Sequence, residues 1–261
     1  MRPTMGKQQN ANSAERPGRT VGVDSQIGRA FIGLREMLLH GELVRGERIS
    51  ELPLVERLGT SRTPIRLALE RLAHIGLLDV LPTGGFAVRG FTLAEARDAI
   101  ELRGVLEGTA ARFAAERLDD DAELDVLRQY CAQMEALDGL TIDTFALYMD
   151  LNEAFHAGLA DLAKSAMLRR SITQVSSLPF ASASAMVFPT SVLPNAGANF
   201  VIANDHHRTV VDAIAQRQGA RAESIAREHA YVARRVLGEA LSDTNAVTRI
   251  PGAPLIHVPT G

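Results

Sequence analysis

Residues 59–78 read GTSRTPIRLALERLAHIGLL, and no other stretch narrows the choice of fold as much. Gly59 stands where a helix end usually needs a positive φ. Two residues later Ser61 is suited to cap a new helix, and Pro64 falls in its first turn, where a missing N–H costs little. Ile65, Ala68, Leu69 and Leu72 then repeat at i, i+3, i+4 and i+7 and must face a core. That register puts Arg62, Thr63 and Arg66 outside, at the N-terminal end. A core helix has no use for two exposed arginines there; a polyanion does.

The neighbouring segments support this. SQIGRAFIGLREMLLHGEL carries Ile27, Ala30, Phe31, Leu34, Met37 and Leu38 on one helical face and stops at Gly41. Ser50 is placed to cap ELPLVERL, whose Leu54 and Leu58 point inward. GLLDVLPTGGFAVRGF reads as two short strands joined at Pro82–Gly85. Helix, helix, turn, helix, hairpin over residues 25–91 is a winged helix-turn-helix. Its second motif helix would enter a DNA major groove with its N-terminal residues at the base edges. Arg62 and Arg66 then meet guanine edges or phosphate, Ser61 and Thr63 bond phosphate, and Gly84 and Gly85 let the wing tip approach closely. The bland alternative is a solvated helix face; the order of the elements argues against it.

Charge follows the same division. Residues 1–90 hold 13 Lys and Arg against 9 Asp and Glu; residues 91–261 hold 15 against 22. A basic front on an acidic body fits a chain of which only the front meets nucleic acid. The single cysteine, Cys131, excludes a disulfide within one chain and suits a reducing cytoplasm. No apolar run is long enough to span a membrane, so the expectation is a cytoplasmic, nucleoid-associated protein with no membrane partner. Residues 1–24 read as a disordered arm, and residues 243–261 as a flexible tail or one laid over a surface.

Residues 92–242 are helical in pattern. Thr92 and Glu95 form a capping-box signature. Asp119, Asp120 and Asp121 suit a helix start, and the last two helices form a hairpin hinged at Gly219. Asn152 and His156 stand at i and i+4 on one helix. His207 and His229, on the two arms of the final hairpin, are able to converge with them. Three neutral imidazoles are a donor set for zinc or a similar divalent ion. His206 points about 100° away from His207 and is the lesser candidate. Arg103 either faces the same cavity, to hold a carboxylate bidentately, or pairs with Glu107 one turn on. Ser176, Ser177, Ser182 and Ser184 flank the middle of the bundle.

GERISELPLVERLGTSRTPIRLALERLAHIGLLDVLPTGGFAV resembles the GntR family of bacterial transcription regulators over roughly residues 25–90. The departures are Arg45 for the usual Pro, Thr60 for Val and Leu67 for Glu. The resemblance implies DNA contacts at Arg62 and Arg66, assisted by Ser61, Thr63, Arg35, Gly84 and Gly85. The second half, with LNEAFH, DHHRTVVDAI and REHAYV, looks like the FCD type of effector domain. That implies a metal site at Asn152, His156, His207 and His229, with a small carboxylate beside it. Asn152 stands where Asp is frequent, and a neutral amide is the poorer ligand for a cation.

The fold class expected is mainly α: an N-terminal winged helix-turn-helix followed by an all-α antiparallel bundle. The function expected is a homodimeric repressor of a catabolic operon, reading a palindromic double-stranded operator and released by a small organic acid. Three other readings remain. The metal itself could be the signal. The bundle could serve dimerisation alone. The histidines could serve a small metal-dependent hydrolase or lyase, although no nucleophile–base pair, HExxH motif or phosphate loop accompanies them.

Overall fold

The computed structural model describes residues 20–257. Helix α1 runs Thr20–Leu39, α2 Glu51–Leu58 and α3 Arg62–His74. The start of α1 comes five residues ahead of the expected one, there being no proline after Pro17 to stop it. The rest of the expected arm, residues 1–19, lies outside the described residues. Leu34, Leu38, Leu54, Ile65, Leu69 and Leu72 form the core between the three helices. Gly41 and Gly59 end α1 and α2 in the left-handed region, at φ 73° and 59°.

Ser50 and Ser61 do occupy the N-cap positions of α2 and α3, yet neither side chain makes the cap bond. The third residue of each helix, a usual target of the cap hydroxyl, is Pro53 or Pro64 and has no N–H to offer. The proline that pre-sets the first turn thus leaves the serine hydroxyl uncommitted.

Strands β1 (Leu78–Val80) and β2 (Phe86–Val88) pair antiparallel, with Leu78 opposite Val88. Gly84 and Gly85 turn the tip at φ 81° and 87°, and Arg48 Nη2 donates to Gly84 O at 3.0 Å. After β3 (Phe91–Thr92), the Thr92–Glu95 capping box opens α4 (Leu93–Arg117) as expected. The helical half continues with α5 (Asp125–Glu135), α6 (Ile142–Leu162), α7 (Ala166–Ser176), α8 (Ala196–Ala215) and α9 (Gly219–Leu241). Residues 183–193 cross between α7 and α8 mostly as turns. The bend before α9 is carried by Arg217, at φ 59°, not by Gly219. Gly219 is instead the first residue of α9, where an added Cβ would lie 3.2 Å from Arg112 Cγ.

Glycine and alanine set the centre of the bundle. On α4, Gly104, Gly108, Ala111 and Ala115 are spaced i, i+4, i+7 and i+11 and lie buried on the face towards Ala222, Ala226 and Ala230 of α9. A Cβ on Gly104 would sit 2.7 Å from Ala230 Cβ; one on Gly108 would sit 3.0 Å from Glu223 O. The two backbones therefore approach more closely than larger residues permit.

The tail packs where looseness was one expectation. Residues 244–257 form a short helix α10 (Thr244–Val247), a 3-10 turn (Ala253–Leu255) and β4 (Ile256–His257). β4 pairs in parallel with β3, Phe91 opposite Ile256, and Arg45 Nη1 donates to Ile256 O at 3.1 Å. Burial of Ile250, Leu255 and Ile256 in the common core explains the order.

Gly108→Val is expected to lower the stability of the chain by about 1–3 kcal/mol, the usual cost of overpacking. Urea unfolding measures it; an unchanged midpoint would mean that α4 and α9 do not need this close approach.

Candidate functional site

The sequence-derived DNA contacts lie on one end of the N-terminal half. Ser61, Arg62, Thr63 and Arg66 are exposed at the start of α3, while Pro64 and Ile65 between them are buried. Arg62 and Arg66 make only long, exposed contacts, Arg62 Nε to Glu51 Oε2 at 3.8 Å and Arg66 Nε to Glu70 Oε1 at 3.5 Å. Exposed pairs of this kind are worth little and release the guanidinium easily to another anion. Gly84 and Gly85 are exposed at the wing tip, and Arg35 is half-buried on α1.

The second site is in the bundle. The close approach of α4 and α9 brings Arg103 and Glu107 beside His229, and α6 and α8 complete the ring with His156 and His207. Ring centroids of His207 and His229 lie 4.4 Å apart, those of His156 and His229 5.1 Å, and those of His156 and His207 5.5 Å. One nitrogen from each of the three falls within 4.8 Å of the others. Both ring nitrogens of His156 and His207, and Nδ1 of His229, are buried without a hydrogen-bond partner. His206 is only half-buried and stands outside this set.

Glu107 makes its ion pair with His156. Its Oε1 lies 3.1 Å from His156 Nδ1, within ion-pair reach though off the line of a good hydrogen bond. Burial would raise this carboxyl, but the His156 ring and then the Arg103 guanidinium outweigh it and hold the pKa at about 2. Arg103, 1% exposed, turns to a cavity with Nε and Nη1 unpartnered. Burial, and next the neighbouring histidines, hold His207 and His229 well below the ordinary histidine range. Both are neutral at pH 7, the form in which imidazole binds a metal.

A cavity adjoins the cluster and is partly open to solvent. Four helices line it at helical spacing: Tyr148 and Asn152 on α6; Ala196, Asn199, Phe200 and Ala203 on α8; His229, Val232, Ala233 and Val236 on α9; and Arg103 on α4. His156, His207 and Glu107 stand one turn further on, so the histidine cluster closes one end. Asn152 thus reaches the cavity beside the cluster. Its Nδ2 donates to Ser184 Oγ at 3.0 Å, which leaves Oδ1 as the atom able to serve a cation or ligand. Of the four flanking serines, Ser184 is the one that touches the site through Asn152. Sequence reasoning missed Asn199 and Tyr148 as cavity residues; the i, i+3, i+4, i+7 repeat from residue 196 was the available signal.

Two family models match the chain. One, described as "Bacterial regulatory proteins, gntR family", covers residues 28–88; the other, the FCD domain, covers residues 98–231. The Nta operon transcriptional regulator of Aminobacter aminovorans is 34% identical over 50% of this chain. A "Probable D-xylose utilization operon transcriptional repressor" of Paenarthrobacter nicotinovorans is 30% identical over 74% of it. The chain spans 60% of the first relative's length and 78% of the second's. Among solved structures, E. coli McbR/YncC superposes with a TM-score of 0.52 at 20% identity, covering 80% of this chain and 97% of that one. This last likeness is one of fold.

The buried histidines make stability depend on pH. Their folded pKa values lie below the unfolded value of about 6.5, so the unfolded chain binds the extra protons. Metal-free protein is expected to lose stability as pH falls below about 6.5, by up to about 1.4 kcal/mol per pH unit for each of His207 and His229. Urea midpoints at pH 7.5, 6.5 and 5.5 measure this; a midpoint that rises towards pH 5.5 would contradict it.

Proposed function

Since the chain belongs to the gntR family of bacterial regulatory proteins, and is a DNA-binding transcriptional regulator rather than an enzyme, we propose that its FCD domain senses a small organic anion beside a divalent metal. The observation that carries this reading is the cavity whose closed end brings three histidines within ligand reach of one another, two of them buried, beside a buried arginine whose Nε and Nη1 have no partner among the described residues.

The donor set fits a metal. Ligand nitrogens around a tetrahedral zinc lie about 3.3 Å apart, so nitrogens already within 4.8 Å of one another need only small ring rotations. His156, His207 and His229 would hold the ion, with Asn152 Oδ1 beside them. A bound divalent ion supplies a positive centre to which a carboxylate is drawn. Arg103 offers the same carboxylate a donor pair, and the apolar walls exclude water around it.

On the DNA side, Arg62 and Arg66 read base edges or phosphate, with Ser61, Thr63, Arg35 and the Gly84–Gly85 tip as supports. The free hydroxyl of Ser61 suits a phosphate contact. A two-fold homodimer on paired half-sites is the arrangement that one reading head per chain favours. Effector binding changes DNA affinity only if it distinguishes two states of the head. A packed path between the sites is present: residues 183–193 of the cavity wall follow the 3-10 turn Pro179–Ala181, and Phe180 packs edge-on against Phe91, with centroids 5.0 Å apart. Phe91 joins the wing to α4. Relief of repression is the outcome proposed, in keeping with the name of the repressor relative from Paenarthrobacter nicotinovorans.

A thermal-shift panel of small carboxylates tests the sensor reading. A rise in melting temperature that chelation abolishes is expected; no rise with any acid, with or without metal, would remove it. Asn152→Asp should tighten zinc binding measured by calorimetry, since it restores a charged ligand. Unchanged or weaker binding would place residue 152 outside the ligand set. Arg66→Ala should weaken binding to an operator selected from random DNA by about 1–3 kcal/mol. Full retention of affinity would take it out of the reading face.

A further inference from the structure

The cavity carries a second polar point remote from its histidines. Asn199, on α8, is 8% exposed. Arg235 Nη2 donates to Asn199 Oδ1 at 2.5 Å. A guanidinium has donors only, so the amide oxygen must face it and the amide nitrogen must face away. That nitrogen, Nδ2, is buried with no hydrogen-bond partner, on a residue that lines the cavity. Arg235 is itself flanked by Glu239, with Nε 3.9 Å from Oε1. The donor direction of Asn199 is thus fixed by charge, and no group among the described residues uses it.

Its place along the bundle follows from helix geometry. Asn199 stands eight residues before His207, and its partner Arg235 six residues after His229. At about 1.5 Å of rise per residue, the Asn199 level is about 9–12 Å from the histidine level. A hydrogen bond or ligand contact at each end takes up about 3 Å. That leaves about 3–6 Å between the terminal polar atoms of a molecule touching both ends, the span of a single ring or a short chain. Between the two ends the walls are apolar: Met186, Phe188, Phe200, Val232 and Val236.

We propose that the effector is an organic anion with a second hydrogen-bond acceptor at the end remote from its carboxylate, and that Asn199 selects it. The remote acceptor is a hydroxyl, carbonyl or carboxylate oxygen. The carboxylate lies at Arg103 and the histidine end, the carbon frame lies between the apolar walls, and the far oxygen accepts from Asn199 Nδ2. This rests on the carboxylate-sensing reading above and adds to it the length and the second polar group.

Two matched pairs of acids separate the ideas: benzoate with 4-hydroxybenzoate, and pentanoate with glutarate. Each is titrated calorimetrically into the zinc-loaded full chain. In at least one pair the doubly polar member should bind tenfold or more tightly than its partner. Asn199→Leu should abolish that advantage. Asn199→Asp keeps the size and the Arg235 contact but turns the donor into a charged acceptor, so it should reverse the preference. Unliganded melting temperatures show whether each variant is folded, and either one suffices. Equal binding within both pairs, or an advantage that survives both substitutions, overturns the role of Asn199 while leaving the carboxylate sensor standing. Failure of all four acids to bind overturns both.

Discussion

The approach of α4 to α9 is the constraint from which the functional half is built. A glycine at 104 and another at 108 leave out Cβ atoms that would keep the two backbones apart. The alanines that continue both faces keep them close for the length of the contact. Arg103 and Glu107 flank those glycines on α4, and His229 precedes Ala230 on α9, so closeness of the helices is closeness of the site. Burial there is costly for charged groups unless they answer one another. Glu107 is answered by His156 and Arg103, whereas His156, His207 and Arg103 keep unpartnered nitrogens. A chain selected for stability alone would fill such a place with leucine.

The two halves are packed into one another as well as joined. One hydrophobic cluster includes Leu34 and Leu69 of the winged helix, Phe180 and Phe188 near the cavity, Val236 of α9 and Leu255 of the tail. Pro254 lies so close to Gly41 that a Cβ there would meet it at 2.9 Å, and Gly252 is similarly tight against Pro179. The tail therefore touches the end of α1, the wing-side Arg45, the link at Phe91 and the turn that leads to the cavity wall. Movement at any of these contacts is felt by the others, because packed interiors transmit displacement rather than absorb it.

Much of this was legible in the chain. The winged helix-turn-helix followed from Gly59, Pro64, the i, i+3, i+4, i+7 repeat from Ile65 and the Gly84–Gly85 tip, all of them local signals. The convergence of His156, His207 and His229 was legible as a candidate because a helical hairpin must bring its two arms together. What escaped was whatever depended on distant partners. Residue type points to capping by Ser50 and Ser61, but the third-position prolines remove the N–H that such a cap would bond. The choice of Glu107 for His156 over Arg103 is made by a residue forty-nine positions further along the chain. Asn199 looked like an ordinary polar residue at the start of a helix; only the position of Arg235 on another helix gives its amide a direction. The tail has no periodic pattern, and its order comes from a shared core and a strand that lie elsewhere in sequence.

The sensing role of the helical half depends on the histidine cluster being a ligand set and not a buried polar accident. Zinc K-edge absorption of the chain loaded with one equivalent of zinc measures this directly. The expected result is a first shell with the scattering pattern of three imidazoles, completed by oxygen. Zinc bound through a shell without imidazole, or zinc that does not stay bound while the protein is folded, would contradict it.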